Sequence, residues 1–271
     1  MAARATPRVV VLHDHHAESI PYGRALGWQR TLHAERAAQL RRAIDPPLAE
    51  PPLDDALILL QHPPTYTLGA RSDVGNVLGG SPEFELVRTE RGGEVTYHGP
   101  GQLVIYPLLD LRHHKQDVHW YMRSLEEVAI RTLSSLGVSG AGREAGLTGV
   151  WVGGKKACAM GVKISRWMSY HGLAINVHTD MRHWEGIVPC GLEGRQVASV
   201  QTLRAAQGLP EIDPPELMRL AAGHAVGHFG EVFGVQMRAP VGRDRTLAEH
   251  EARGAGGAAA GQEAGVGAVG R

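Results

Sequence analysis

The chain has 271 residues, 43% hydrophobic and 21% charged, the composition of an ordinary globular protein long enough for one sizeable core. Its 28 Lys and Arg balance 28 Asp and Glu, which leaves no global field to attract nucleic acid, and its two cysteines exclude a disulfide-stapled scaffold. No apolar run approaches the roughly 18 residues of a membrane span, and residues 9–12 are too few for the core of a signal peptide, so the expectation is a cytoplasmic protein with free thiols.

In chain order, residues 8–13 (RVVVLH) read as a buried strand. Residues 22–44 predict a helix, with Ala25, Trp28, Leu32, Leu40 and Ile44 at helical spacing. Residues 44–55 (IDPPLAEPPLDD) carry four prolines and several acids and read as a surface connection. Residues 56–61 (ALILLQ) and 102–106 (QLVIY) are short apolar runs typical of strands. A second helix is expected over 117–136, with Asp117 as N-cap, Gly137 just past its end, and Val118, Tyr121, Leu125, Val128 and Leu136 on one face. Residues 149–153, 156–164 and 168–177 follow so closely that they predict antiparallel neighbours. Asp213-Pro214-Pro215-Glu216 resembles a capped helix start ahead of Leu217, Leu220 and Phe229. Residues 254–271 are mostly Gly and Ala, too poor in apolar surface to offset their ordering entropy, so a disordered tail is expected. The fold class is α+β, a mixed β-sheet with packed helices, in a single domain over 1–240 with a C-terminal extension over 241–271.

Chemistry concentrates in residues 91–102, RGGEVTYHGPGQ. Glycine lets a backbone approach a ligand closely and adopt positive φ, and Arg91 and His98 can orient a polar group. Residues 149–156 (GVWVGGKK) nearly match a phosphate-binding loop, but Lys156 stands where a Ser or Thr must hold Mg²⁺, and Val150–Val152 reads as a strand. Residues 140–146 (GAGREAG) lack dinucleotide-binding spacing. The 15 histidines include two clusters, His13/His15/His16 and His113/His114/His119, without a metal-site pattern, so no metal and no cofactor is expected. His62 ends a strand and faces a pocket or a turn.

Of the two cysteines, Cys190 lies between Pro189 and Gly191, on a turn that can present a thiol, whereas Cys158 sits mid-strand among small apolar residues. A reactive cysteine needs its thiolate stabilised; Lys156, His171 and His98 are candidate activators. An ammonium about 4 Å from a thiolate is worth roughly 4 kcal/mol at an effective dielectric of 20. Strand parity puts Lys156 and Cys158 on one face, so Cys158 remains open as the partner of that lysine.

Taken together, RGGEVTYHGPGQLVIYP, GVWVGGKKACAMGVKISRWMSYHGLAINV and IVPCGL, with QHPPTYTLG before them, closely resemble the octanoyltransferase (lipoate–protein ligase B, lipoyl/octanoyl transferase) family over about residues 9–233. The resemblance implies a fold similar to the catalytic domain of biotin and lipoate protein ligases. It implies transfer of an octanoyl group from acyl carrier protein to a lysine of a lipoyl domain, in E2 subunits of 2-oxoacid dehydrogenases and the glycine-cleavage H protein, as the first step of protein lipoylation. No nucleic acid or membrane partner is implied. The family's nucleophile matches Cys190 and its thiol-activating lysine matches Lys156. Its substrate-binding positions match Arg91, Gly92, Gly93, Glu94, Val95, Thr96, Tyr97 and His98, then Ala159, Met160 and Gly161, then Gly172, Leu173 and Ala174. Docking of an acidic carrier would use a local basic patch including Arg112, Lys115 or Arg166. Three rival readings remain: an ATP-dependent lipoate or biotin ligase, an amidotransferase between lipoyl-carrier proteins, and a non-catalytic acyl-carrier-binding module.

Overall fold

The computed structural model describes residues 8–42, 54–78, 84–188, 195–241 and 247–250. Ile44, the proline-rich stretch up to residue 53, Cys190 and the Gly/Ala tail lie outside the described residues, as does the side chain of Leu40.

Among the described residues, ten strands form two sheets. The strands are β1 (Arg8–Ser19), β2 (Asp55–Gln61), β3 (Thr65–Leu68), β4 (Glu85–Arg88), β5 (Thr96–His98), β6 (Gln102–Leu108), β7 (Val150–Val152), β8 (Lys155–Ser165), β9 (Met168–Asn176) and β10 (Val235–Arg238). The large sheet runs β10-β1-β2-β6-β9-β8-β7, and the small one β4-β3-β5. β1 pairs parallel with β10 and β2, and every other pairing in the large sheet is antiparallel. That is the mixed sheet expected from runs separated sometimes by a helix and sometimes by a tight turn.

Among the described residues, four helices lie between or after these strands: α1 (Tyr22–Arg42), α2 (Val118–Ser135), α3 (Val200–Ala206) and α4 (Pro214–Phe233), and residues 247–250 are also helical. Strand alternation divides the sheet's two faces between them. Leu57, Leu59, Leu103, Ile105, Leu173 and Ile175 face a core with α2 and α4. Ile58, Leu60, Val104, Tyr106 and Ala174 face Ala25, Trp28 and Leu32 of α1. A third cluster, with Tyr66, Val95, Tyr97 and Trp184, lies against the small sheet.

Several details depart from the sequence expectations. Asp55, expected on a surface connection, starts β2 and is fully buried; it accepts a hydrogen bond from the Asp110 amide (2.8 Å) and lies 2.9 Å from His114 Nε2 and 3.5 Å from Arg8 Nε. A buried carboxylate persists only with such partners. Val118 is exposed, because α2 begins there, before the helix reaches the sheet. Asp117 caps α2, accepting from the Trp120 amide at 3.0 Å, and Gly137 has φ 85°. Asp213 makes no side-chain cap to α4, since the two prolines after it remove the first amide donors. The short strands β3, β4, β5 and β10 and the helix α3 are additional elements.

Candidate functional site

A cavity of about 280 Å³ opens on the α1 face of the large sheet. That lies just below the range of about 300–1,000 Å³ typical of ligand sites. Its walls come from three stretches far apart in sequence: the loop and strand containing Arg91, Gly93, Glu94, Thr96 and His98; β8 with Lys156, Ala159, Met160 and Gly161; and β9 with Gly172, Leu173 and Ala174.

The glycines have a steric reason. A Cβ on Gly69 would sit 1.8 Å from the Gly93 carbonyl oxygen, and one on Gly161 would sit 2.5 Å from that of Gly92. The loop is thus pressed between the end of β3 and the middle of β8. Arg91 Nη2 anchors it, donating to the Thr67 carbonyl (2.7 Å) and hydroxyl (2.9 Å), while the Gly92 amide donates to Val162 O (3.0 Å). Beyond the loop, Thr96 and His98 face the cavity, whereas Val95 and Tyr97 turn into the small-sheet core, as strand alternation requires. Gly92, Val95 and Tyr97 therefore do not line the cavity. Met160 and Leu173 border it although their side chains join the core under α2 and α4.

On β8 and β9, Ala159 pairs with Ala174 and Gly161 with Gly172. The short side chains of Ala159 and Ala174 leave a trough on this sheet face where larger ones would fill the space, while at Gly161 and Gly172 the carbonyls of Gly92 and Ile105 occupy the place of a Cβ.

Lys156 borders this cavity and is 5% exposed. Its Nζ stands 4.7 Å from the centroid of the Trp151 ring. Cys158 is turned the other way, into the core under α2 and α4, fully buried, with its thiol pushed up to about 12 by that burial. The parity argument that put both on one face fails at an irregularity: Trp151 of β7 pairs with Lys156 but Val150 pairs with Cys158, so Ala157 is an extra residue in the ladder. Lys156 and Cys158 therefore face opposite sides of the sheet. Residues 149–156 form a β-hairpin turning at Gly153 and Gly154, with φ 55° and 76°, not a phosphate loop.

The cavity also takes in Tyr22, Val104, Tyr106, His171 and residues 146–148, which sequence reasoning did not place there. His171 has φ 59°, is buried, and neither ring nitrogen has a hydrogen-bond partner; Glu90 Oε2 lies 3.5 Å from Nε2. Its side chain joins the cavity, and burial lowers its pKa to about 4. Beneath the cavity, His62 Nδ1 donates to Ile20 O (2.6 Å), so its Nε2 accepts from the Tyr106 hydroxyl (2.7 Å). His98 Nδ1 donates to Gln102 Oε1 (2.7 Å), because the Gln102 amide nitrogen is already committed to Tyr97 O and Asn176 Oδ1. Burial pushes Tyr22 up to about 12, Tyr106 well above and His98 well below their ordinary values, and His62 down to about 4. All are neutral at pH 7, so the cavity's floor is polar but uncharged. The composition of residues 146–148 carries no signal; only the closure of the fold brings them in.

Of the suggested basic patch, Arg112 is paired with Asp110, and Lys115 Nζ lies 3.1 Å from Asp117. Among the described residues, no helix is long and apolar enough to cross a membrane.

Residues 21–221 match the family model of the lipoyl protein ligase A/B catalytic domain. The chain is 44% identical over 239 residues to a chloroplastic octanoyltransferase of Arabidopsis thaliana, covering 85% of this chain and 81% of that protein. It is 48% identical over 217 residues to an octanoyltransferase of Gloeobacter violaceus, covering 80% and 88%. Among solved structures it resembles a lipoate-protein ligase A bound with ATP, with TM-score 0.63 and 15% identity over 92% of this chain and 93% of that one. It also resembles a bipartite lipoate protein ligase from Thermoplasma acidophilum, with TM-score 0.62 and 16% identity, covering 91% and 90%. These two share the mixed-sheet fold at identities too low to carry more.

Proposed function

This chain belongs to the octanoyltransferase family of acyltransferases, and from that premise we propose that it moves an octanoyl group from acyl carrier protein to a lysine of a lipoyl domain through a thioester on Cys190. The observation that carries this reading is the meeting of Lys156, the Arg91–His98 loop and the small-residue trough of β8 and β9 around one cavity. The trough suits a flexible medium-length chain, whose burial contributes roughly 0.8 kcal/mol per methylene.

The chemistry divides one acyl transfer into two steps. The Cys190 thiolate, paired with the Lys156 ammonium, attacks the octanoyl thioester carbonyl. The carrier's thiolate leaves and takes a proton from Lys156. The neutral Lys156 then accepts a proton from the acceptor lysine as its amine attacks the enzyme thioester, and the Cys190 thiolate leaves. Arg91, Thr96 and His98 orient the acyl group. The E2 subunits of 2-oxoacid dehydrogenases and the glycine-cleavage H protein are the acceptors, and the cytoplasm the compartment, a setting supported by the two-cysteine composition.

Intact-mass measurement after incubation with octanoyl acyl carrier protein tests this. One octanoyl adduct is expected, absent in Cys190→Ala. An adduct that persists in that variant overturns the assignment. Transfer that proceeds only with ATP and free octanoate points instead to a ligase.

A further inference from the structure

Trp151 occupies the middle of β7 and is 3% exposed. Its backbone is held on both edges: it exchanges two 2.9 Å hydrogen bonds with Gly142 on one side and pairs with Lys156 on the other. Its ring is placed by the hairpin rather than by its own polar group, since the indole Nε1 is buried without a hydrogen-bond partner. A buried indole usually finds such a partner, so what the position uses is the ring's face. Two cations stand over it. Lys156 Nζ is 4.7 Å from the centroid and Arg195 Cζ is 5.4 Å away. Arg195 is held in turn by Glu144, 3.0 Å from its Nη1. On another side, Gly149 leaves room for the lysine stem: a Cβ there would come within 3.3 Å of Lys156 Cε.

We propose that Trp151 is a positioning residue for acyl transfer: its ring face holds the Lys156 ammonium against the cavity, and the Arg195–Glu144 pair holds the ring. The physical need is clear. A lysine stem loses much rotamer freedom when it is confined, and its buried ammonium loses water. An aromatic face is an apolar surface that still attracts a cation, most strongly when both are desolvated. Trp151 thus keeps the charge in one place.

This inference rests on the reading that Lys156 activates the thiol. Its test measures the pH dependence of iodoacetamide inactivation and the steady-state octanoyl transfer of the full chain, in wild type, Trp151→Phe, Trp151→Leu, Trp151→Met and Lys156→Met. For Trp151→Leu and Trp151→Met the inactivation midpoint is expected to rise by about 0.5–1 pH unit and kcat to fall about tenfold, with KM for the acyl carrier protein donor within about twofold. Trp151→Phe, which keeps an aromatic face, restores most of both. Two non-aromatic fillings keep the comparison readable if one of them fails to fold. The inference is overturned if the aromatic and non-aromatic variants behave alike, or if only Lys156→Met moves the midpoint. If Lys156→Met itself leaves the midpoint unmoved, the reading of Lys156 fails first.

Discussion

Lys156 and Cys158, two residues apart on β8, face opposite sides of the sheet: Lys156 borders the cavity while Cys158 is sealed in the core beneath α2 and α4. One step along β7, from Trp151 to Val150, spans two steps along β8, and that extra residue separates the amine from the thiol. With its thiol pushed up to about 12 by burial, Cys158 has almost no thiolate at neutral pH. Cys158→Ala is therefore expected to keep octanoyl transfer within about twofold of wild type, at a stability cost of about 1 kcal/mol for the lost sulfur contacts. Mass mapping after iodoacetamide treatment of the folded protein checks the chemistry. Carbamidomethyl label on Cys158 before unfolding contradicts this burial.

The Ala159–Ala174 pair borders the cavity. Ala174→Val adds two methyl groups facing the cavity and shortens the space available to an acyl chain. Each excluded methylene costs roughly 0.8 kcal/mol, about fourfold in relative kcat/KM. The variant is expected to shift preference from octanoyl toward hexanoyl acyl carrier protein by about fourfold to sixteenfold. Competition between the two donors, read as product mass ratio, measures it; an unchanged ratio means that the chain lies elsewhere.

The layout of the large sheet was legible because its strands are strongly patterned: residues 102–106 and 168–177 lie within β6 and β9 or one residue beyond, and the helix over 117–136 differs from α2 by its caps alone. The small sheet was not, since β5 has three residues and its alternation, Thr96 and His98 against Val95 and Tyr97, hides inside a glycine-rich loop. The cavity's motif residues were found by composition and resemblance. Tyr22 and Tyr106 were given no role there, and His171 was read only as a candidate thiol activator, because each belongs to an otherwise ordinary helix or strand and only the packing of α1 over β6 and β9 turns them toward a ligand. The orientation of Lys156 was also beyond a parity rule, because a bulge leaves no mark that alternation alone can read.

Two glycines predict opposite outcomes for one substitution. A Cβ on Gly172 would meet the Ile105 carbonyl oxygen at 2.1 Å and Pro107 Cδ at 2.7 Å, both on the neighbouring strand. Gly172→Ala must push β6 and β9 apart and is expected to cost about 1–3 kcal/mol. Gly27 is exposed within α1 with nothing within 4 Å of its Cβ position. Gly27→Ala is expected to gain about 0.5–1 kcal/mol through helix propensity. Urea unfolding midpoints of the two variants should lie on opposite sides of wild type.

His62 makes stability depend on mildly acidic pH. It is buried, donates to Ile20 O and accepts from the Tyr106 hydroxyl, an arrangement that only the neutral ring can make. Its folded value of about 4 lies below the 6.5 of an exposed imidazole. Above pH 6.5 both folded and unfolded chains carry a neutral ring, and this histidine adds no pH dependence. Between about 6.5 and 4 the unfolded chain binds the proton and the folded chain does not, so stability falls with falling pH. The loss from this one group is on the order of 3 kcal/mol by pH 4. His62→Gln retains hydrogen-bonding capacity toward Tyr106 but cannot titrate, so its unfolding free energy should decline less steeply across that window, while lying below wild type at pH 7.5 for the imperfect fit. Equilibrium urea unfolding at half-unit pH steps gives the two slopes. Parallel curves for the variant and wild type would mean that His62 is protonated equally in both states, and the neutral hydrogen-bonded floor beneath the cavity would have to be abandoned.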